Sequence, residues 1–295
     1  MRRDVTFTSK GYRCFGQFDV PDGFAPGEKV PAIICVTGYS GVIPMGEEFA
    51  QRFVNAGFAT LMFDFRYFGM SEGEPRSQLF PLEQVEDLRN AITWFSEQPE
   101  IDPKRIGLSG VSFGAAVSLF AATYDKRVKA VVARMPAAWT PDFRRVMDPE
   151  KWDRMDMFLL RDRLARYQNG AVNYFKVVSP VGEPCVLPGK EAYEEYMALS
   201  KDSPNWCNQV TIESLEKSRE FDPVSMVHLM APTALLLIAA EQDSLVPVEA
   251  VKAVYEKAQE PKKLSVLPIT HFAFNNEPWL STCANLAIDW FEKYL

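Results

Sequence analysis

The stretch that decides the fold is residues 106–116, which read IGLSGVSFGAA. It contains a G-x-S-x-G motif, Gly110–Gly114, between an apolar strand-like run and an alanine-rich helical run. This setting favours a sharp strand-to-helix turn that exposes the hydroxyl of Ser112 at the carboxyl edge of a sheet. The flanking glycines have a steric reason, because a β-carbon on either would clash where the chain doubles back. The alternative is a glycine-rich turn that carries no nucleophile.

Outward from this motif, short β-rich runs alternate with amphipathic helical runs through most of the chain. The alternation predicts an α/β fold with a mostly parallel, doubly wound sheet and helices on both faces. An antiparallel pair of strands, 5–9 and 12–20, comes first. The other predicted strands are 30–36, 59–65, 105–109, 128–133, 233–239 and 263–269, and the predicted helices are 47–56, 82–97, 113–123, 247–258 and 280–294.

The alternation stops between Pro136 and Phe221, where the chain reads as helical and is rich in Arg, Met, Trp and Tyr. We therefore predict a helical cap, 136–221, inserted into an α/β core formed by 1–135 and 222–295. Large apolar side chains of the cap either wall a pocket for an apolar acyl group or form the cap's own core. These side chains are Trp139, Met155, Met157, Phe158, Tyr174, Phe175 and Trp206.

The arginines of the same block also allow two interpretations. They are Arg144, Arg145, Arg154, Arg161, Arg163 and Arg166. They either meet an anionic group of the substrate or form a solvated helix face, and we favour the solvated face. Its expected acidic partners are Asp148, Glu150 and Asp153.

A serine nucleophile needs a base, and the chain has two histidines. His271 follows the predicted strand 263–269, so a loop at the carboxyl edge of the sheet would carry it. His228 lies in a helical run that leads into the amino end of a strand, at the opposite edge. We therefore predict that His271 is the base and that His228 is a surface or packing residue.

The acid that orients the base is expected after the strand 233–239, which runs into a loop with two carboxylates. Asp243 is the prediction, because the spacing to His271 leaves room for one helix and one strand. The helix start at Val246-Pro247 also fixes its loop. Glu241 is the alternative, and otherwise a solvated loop charge.

The composition excludes several classes of protein. A net charge of −7 repels phosphate backbones, so we expect no nucleic-acid partner. The five cysteines are widely spaced, which is typical of reduced thiols in a cytoplasmic protein. The N-terminus lacks the apolar segment of an export signal, and the uncharged run 106–124 is interrupted by glycines, so we expect no membrane span. The sequence contains no G-x-G-x-x-G, no G-x-x-x-x-G-K-[ST] and no H-E-x-x-H motif, so we expect no cofactor and no metal. The predicted serine, histidine and aspartate imply a small-molecule acyl substrate. The sequence allows a homodimer.

Outside 136–221, these features resemble a serine hydrolase of the α/β-hydrolase superfamily, whose catalytic order is also serine, acid, histidine. The block 63–73, FDFRYFGMSEG, resembles the D-x-R-G-x-G-x-S-x-G loop after that superfamily's fourth strand. With Phe221-Asp222-Pro223, it is similar to the dienelactone-hydrolase and Xaa-Pro-dipeptidyl-peptidase-like branch, which includes small esterases and fungal polyketide transferases. Within the block we expect Asp64 and Arg66 to form an internal ion pair.

The resemblance implies an oxyanion hole made of two main-chain N–H groups. Phe113, directly after the serine, supplies one, and we assign the second to Tyr39 in the loop 37–41. The superfamily often has His-Gly where this chain has Thr37-Gly38. The implied reaction is cleavage of an ester, thioester or related acyl substrate through an acyl-enzyme. An acyltransferase or a C–C bond hydrolase would use the same residues, and a non-catalytic ligand-binding relative is the remaining alternative.

Overall fold

The computed structural model describes residues 1–23, 27–137 and 149–295. Its strands are β1 (Arg2–Ser9), β2 (Tyr12–Asp19), β3 (Val30–Val36), β4 (Ala59–Phe63), β5 (Ile101–Val111), β6 (Val128–Arg134), β7 (Tyr174–Phe175), β8 (Val210–Thr211), β9 (Ala234–Ala240) and β10 (Lys262–Leu267). One eight-stranded sheet has the order β1-β2-β4-β3-β5-β6-β9-β10. Strand β2 pairs antiparallel with its neighbours, and the other pairs are parallel. The sheet confirms the predicted fold class.

Helices cover both faces of this sheet. They are α1 (Glu47–Asn55), α2 (Pro81–Ser96), α3 (Ser112–Tyr124), α4 (Pro149–Asn169), α5 (Lys190–Leu199), α6 (Ile212–Glu220), α7 (Val248–Lys257) and α8 (Trp279–Tyr294). In β3, Ile33 joins the core under α1 and α8, and Ile34 joins the core under α2, α3 and α7. Successive side chains of a strand point to opposite faces, so a strand covered on both sides reads as a continuous apolar run.

The predicted strands and helices of the core are present, and the differences lie at their ends. β1 begins at Arg2 instead of residue 5, because an exposed edge strand can pair through its backbone with polar side chains outside. β5 begins at Ile101 instead of residue 105, because Val30 pairs with Ile101 ahead of a register irregularity.

The intervening segment, residues 149–221, connects β6 to β9 and contains α4, α5 and α6. It also contains an antiparallel ribbon of β7 and β8, which the sequence did not predict because two residues are too short to show an alternating pattern. It is tied to the core by hydrogen bonds from Thr211 N to Ser77 O (3.1 Å) and from Leu79 N to Ser214 Oγ (2.8 Å). Trp139, Arg144, Arg145 and Asp148 lie outside the described residues. In the described part of the chain, no helix combines the length and the apolar character needed to cross a membrane.

The expected ion pair between Asp64 and Arg66 is wrong. Arg66 instead pairs with Asp87 of α2, at 2.5 Å from Nη2 and 2.9 Å from Nε to Oδ1. Asp64 accepts main-chain hydrogen bonds from Ile43 and Met70, both at 2.9 Å. Both carboxylates are buried, and burial raises the pKa of the Asp64 carboxyl to about 6. Asp87 therefore holds the loop after β4 at Arg66, and Asp64 holds it at Met70.

Candidate active site

The G-x-S-x-G motif forms the turn between β5 and α3. Ser112 has a φ of +52°, a left-handed conformation that is unusual for a residue with a side chain. A β-carbon on Gly114 would lie 2.1 Å from the carbonyl oxygen of Thr37, and one on Gly110 would lie 2.6 Å from Ala115 Cα. The steric reason predicted for both glycines is therefore confirmed.

Ser112 lies at the carboxyl edge of the sheet. Its carbonyl accepts a 3.0 Å hydrogen bond from Ala137 N, which ties the turn to the end of β6. Its side chain lines a cavity of about 420 Å³ that His271 also lines. Among the described residues, the Ser112 hydroxyl has no hydrogen-bond partner. Hydrogen bonds of catalytic groups are often long before a substrate is bound.

His271 and Asp243 are brought together by two neighbouring parallel strands. Asp243 follows β9 and His271 follows β10, and Nδ1 of His271 lies 2.6 Å from Oδ2 of Asp243. The two side chains are 2% and 1% exposed. A carboxylate can only accept, so Nδ1 carries the proton and Nε2 is left free to act as a base.

The second oxygen of Asp243 is also occupied. Oδ1 accepts hydrogen bonds from the main-chain N–H groups of Leu245 and Val246, both at 2.8 Å. These bonds hold the carboxylate in place. Glu241, the alternative acid, is exposed, and among the described residues it makes no hydrogen bond or ion pair with His271. His228 is exposed in a turn before β9, at the opposite edge of the sheet.

The loop 37–41 lies beside Ser112. A β-carbon on Gly38 would lie 3.8 Å from Ser112 Cβ. The ring of Tyr39 packs edge-on against the ring of Phe113, with centroids 5.2 Å apart. Within the described ranges, no hydrogen-bond acceptor lies on the N–H of Tyr39. The N–H of Phe113 belongs to the first turn of α3, where main-chain donors have no partner within the helix.

The intervening segment contacts both loops of the site, which the sequence did not predict. The hydroxyl of Tyr196 in α5 donates to the carbonyl of Tyr39 at 2.8 Å. Glu191, also in α5, accepts hydrogen bonds from Thr270 Oγ1 (2.5 Å) and Phe272 N (3.3 Å), on either side of His271. No local pattern in the sequence marks these residues, because each contact joins positions far apart in the chain.

Of the two interpretations of the large apolar side chains, the cap's own core fits those that the structure describes, because none of them lines the cavity. The intervening segment lines the cavity with Leu187, Glu195, Tyr196, Ala198, Leu199 and Asp202 instead. Phe158 and Phe175 pack on each other, with ring centroids 5.3 Å apart, and do not line it. The rings of Trp206 and Tyr196 pack at a tilt, with centroids 5.6 Å apart, and Trp206 donates to Ser40 Oγ at 3.3 Å.

Three of the predicted arginines that the structure describes form ion pairs, and Arg161 is exposed. Arg154 pairs with Glu150 at 3.4 Å, as the solvated-face interpretation expects. Arg163 and Arg166 have partners other than the predicted ones. Arg163 pairs with Glu216, and Arg166 pairs with Asp162 (2.8 Å), Glu213 (2.7 Å) and Glu216. None of these three arginines lines the cavity.

Comparison with known proteins places the chain in a family. Residues 20–273 match the family X-Pro dipeptidyl-peptidase (S15 family). A polyketide transferase of Stachybotrys chlorohalonatus is 32% identical over 245 residues, 81% of this chain and 80% of that protein. A thiohydrolase of Aspergillus aculeatus is 30% identical over 245 residues, 79% of this chain and 76% of that protein.

A solved structure agrees with these matches. The α/β-hydrolase GrgF from Penicillium sp. sh18 superposes with a TM-score of 0.85 and 27% sequence identity, covering 100% of this chain and 99% of that chain. The resemblance drawn from the sequence motifs is confirmed. The chain is an enzyme of the α/β-hydrolase fold and belongs to the X-Pro dipeptidyl-peptidase family.

Proposed function

We propose that the protein is a serine hydrolase that cleaves a carboxylic ester, thioester or related acyl substrate with Ser112, His271 and Asp243. The buried 2.6 Å contact between Asp243 and His271, in the wall of the cavity that Ser112 also lines, carries this proposal. A buried carboxylate that fixes the tautomer of a histidine, with a serine in the wall of the same cavity, is the arrangement that activates a serine hydroxyl.

In the first half of the reaction, Nε2 of His271 takes the proton from Ser112 Oγ as this oxygen attacks the acyl carbon. The carbonyl oxygen becomes an oxyanion, which accepts hydrogen bonds from the N–H groups of Phe113 and Tyr39. The intermediate collapses, the bond to the leaving group breaks, and His271 donates its proton to that group. Asp243 stabilises the imidazolium that forms in between.

The second half repeats these steps with a different nucleophile. His271 takes a proton from water, the resulting hydroxide attacks the acyl-enzyme, and the carboxylic acid leaves as Ser112 regains its proton. If an alcohol or a thiol takes the place of water, the same residues perform acyl transfer. The relatives named polyketide transferase and thiohydrolase favour transfer as the second candidate and a thioester as one class of acyl donor.

We further propose that 136–221 acts as a cap on a core of 1–135 and 222–295. Its support is the set of contacts that α5 makes with both site loops, through Tyr196 and Glu191. A cover on the site limits the access of water, which strengthens electrostatic interactions inside it.

The test is turnover of 4-nitrophenyl acetate, 4-nitrophenyl butyrate and an acyl thioester by wild type and by Ser112→Ala. We expect turnover and fluorophosphonate labelling by wild type, and neither by Ser112→Ala. His228→Gln is the matched control and should behave as wild type, because His228 is exposed at the opposite edge of the sheet. Absence of both turnover and labelling in wild type would contradict the proposal and favour a non-catalytic relative. Product analysis with and without an added alcohol separates hydrolysis from transfer.

A further inference from the structure

Arg134, the last residue of β6, carries a buried positive charge that no described residue neutralises. The residue is 4% exposed, and its Nε and Nη1 have no hydrogen-bond partner among the described residues. Every described carboxylate lies beyond 4.0 Å from its guanidinium. A buried ion without a counter-ion is strongly unfavourable, so a cation kept in this position points to a ligand that completes it.

The surroundings of Arg134 are apolar. Its guanidinium lies 3.5 Å from the ring centroid of Phe49 and 4.9 Å from that of Phe274. Contacts with aromatic faces favour a cation, although they leave its hydrogen-bond donors unused. Burial lowers the pKa of Arg134 to about 10, so the group is still charged at neutral pH.

Arg134 lies close to the nucleophile. Both Arg134 and Ser112 line the cavity of about 420 Å³. In the pairing of β5 with β6, Arg134 is the partner of Val111, the residue directly before Ser112. A cavity of this size holds an acyl chain of several carbons, so one ligand can reach both residues.

Ser109 supplies a second unused donor in the same cavity. It is fully buried, it lines the cavity, and its hydroxyl has no hydrogen-bond partner among the described residues. It precedes Val111 by two residues, so its side chain points to the same face of the sheet. Arg134 and Ser109 thus place a guanidinium and a hydroxyl in the wall of the cavity that Ser112 also lines.

The carboxylates that line the cavity do not serve as the missing partner. Glu48 and Asp202 are exposed, and Glu48 pairs with Arg52. Glu195 accepts a 2.7 Å hydrogen bond from Asn275 Nδ2.

We propose that Arg134 and Ser109 bind a carboxylate at the far end of the acyl chain, so that the preferred substrates are monoesters or monothioesters of dicarboxylic acids. The planar fork of a guanidinium matches the two oxygens of a carboxylate. The inference rests on the proposed serine hydrolase function, because the acyl carbon must lie at Ser112 while the carboxylate lies at Arg134.

The experiment compares paired 4-nitrophenyl esters that differ only in charge: the hydrogen glutarate, adipate and suberate, each with its methyl ester. We expect wild type to have a kcat/KM for at least one free acid that is about tenfold or more above that of its methyl ester. Arg134→Met should abolish this preference while retaining turnover of the methyl esters, and Arg134→Lys should keep part of it. Arg134→Met is expected to fold, because an apolar side chain of similar length replaces an unpaired buried charge.

Two results would overturn the proposal. In one, wild type prefers the neutral ester at every chain length; in the other, Arg134→Met loses turnover of the free acid and of its methyl ester equally. The second result would assign Arg134 to bracing Phe49 and Phe274. If wild type turns over no ester, the hydrolase proposal fails separately. Calorimetric titration of Ser112→Ala with monomethyl glutarate, adipate and suberate then decides. The proposal requires that at least one of these three compounds binds and that adding Arg134→Met removes the binding. Lack of binding by all three overturns it.

Discussion

The hydroxyl of Tyr196 donates a 2.8 Å hydrogen bond to the main-chain carbonyl of Tyr39. Tyr196 lies in α5 of the intervening segment, and Tyr39 lies in the loop after β3, beside Ser112. Both side chains are buried. The conformation of the loop that carries the proposed second oxyanion donor therefore depends on a residue from outside the core.

Tyr196→Phe removes this hydrogen bond and keeps the ring. We expect kcat to fall about tenfold with KM changed by less than about twofold, because the loss affects a donor used in the transition state. Steady-state kinetics with 4-nitrophenyl butyrate measure both constants. Tyr193→Phe, on the same helix, is the matched control and should leave both unchanged. A rise in KM at constant kcat would assign Tyr196 to substrate binding instead.

Asp243→Asn tests the orienting role of the acid. An amide at this position stabilises the wrong tautomer of His271, so we expect kcat to fall by about a thousandfold or more. Glu241→Gln changes the same kind of group in the same loop and should keep kcat within about twofold, because Glu241 is exposed and has no hydrogen bond or ion pair with His271 among the described residues. Equal losses in the two variants would disprove the assignment of Asp243.

Gly114→Ala tests the packing of the serine turn. The new β-carbon would lie 2.1 Å from a main-chain oxygen, Thr37 O, and backbone cannot move aside cheaply. We expect the free energy of unfolding to fall by about 3 kcal/mol or more, measured by denaturant unfolding. Gly38→Ala is the matched control for stability, since its β-carbon would meet nothing closer than 3.8 Å. A stable Gly114→Ala protein would contradict the tight contact.

Asp64 makes stability depend on pH. Burial raises its pKa to about 6, above the value of 3.8 for an unperturbed carboxyl, so the folded protein holds this proton more tightly than the unfolded chain. The contribution of Asp64 to the free energy of unfolding is therefore fully present below about pH 4 and is lost as the pH rises through about 6. Relative to Asp64→Asn, we expect the free energy of unfolding of wild type to fall by up to about 3 kcal/mol between pH 4 and pH 7. If the free energy of unfolding of wild type relative to Asp64→Asn stays constant or increases with pH, burial does not dominate the pKa of Asp64.

The serine turn and the neighbouring elements were predictable because their signals are local. The glycines around Ser112 sit within one turn, and the apolar run at 30–36 identifies a strand covered on both faces. The contact between Asp243 and His271 was predictable for a different reason. Each follows a parallel strand, and the carboxyl ends of neighbouring parallel strands meet at one edge of the sheet.

The side-chain partners across the fold were not predictable. Arg66 pairs with Asp87 of α2 instead of with Asp64, because the choice depends on how the helix packs on the sheet. Arg134 follows an apolar run and carries no sequence signal of burial, yet α1 and the His271 loop enclose it with Phe49 and Phe274. Tyr196 reaches Tyr39 only because the intervening segment folds back over the site.

The most direct test of the central claim is mass spectrometry of the acyl-enzyme. Wild-type protein is quenched in acid during turnover of 4-nitrophenyl butyrate and digested, and its peptides are compared with those of Ser112→Ala. We predict a butyryl group on Ser112 in wild type, and none on the same peptide of the variant. Turnover by wild type with no acyl group on Ser112, together with undiminished turnover by Ser112→Ala, would contradict the account.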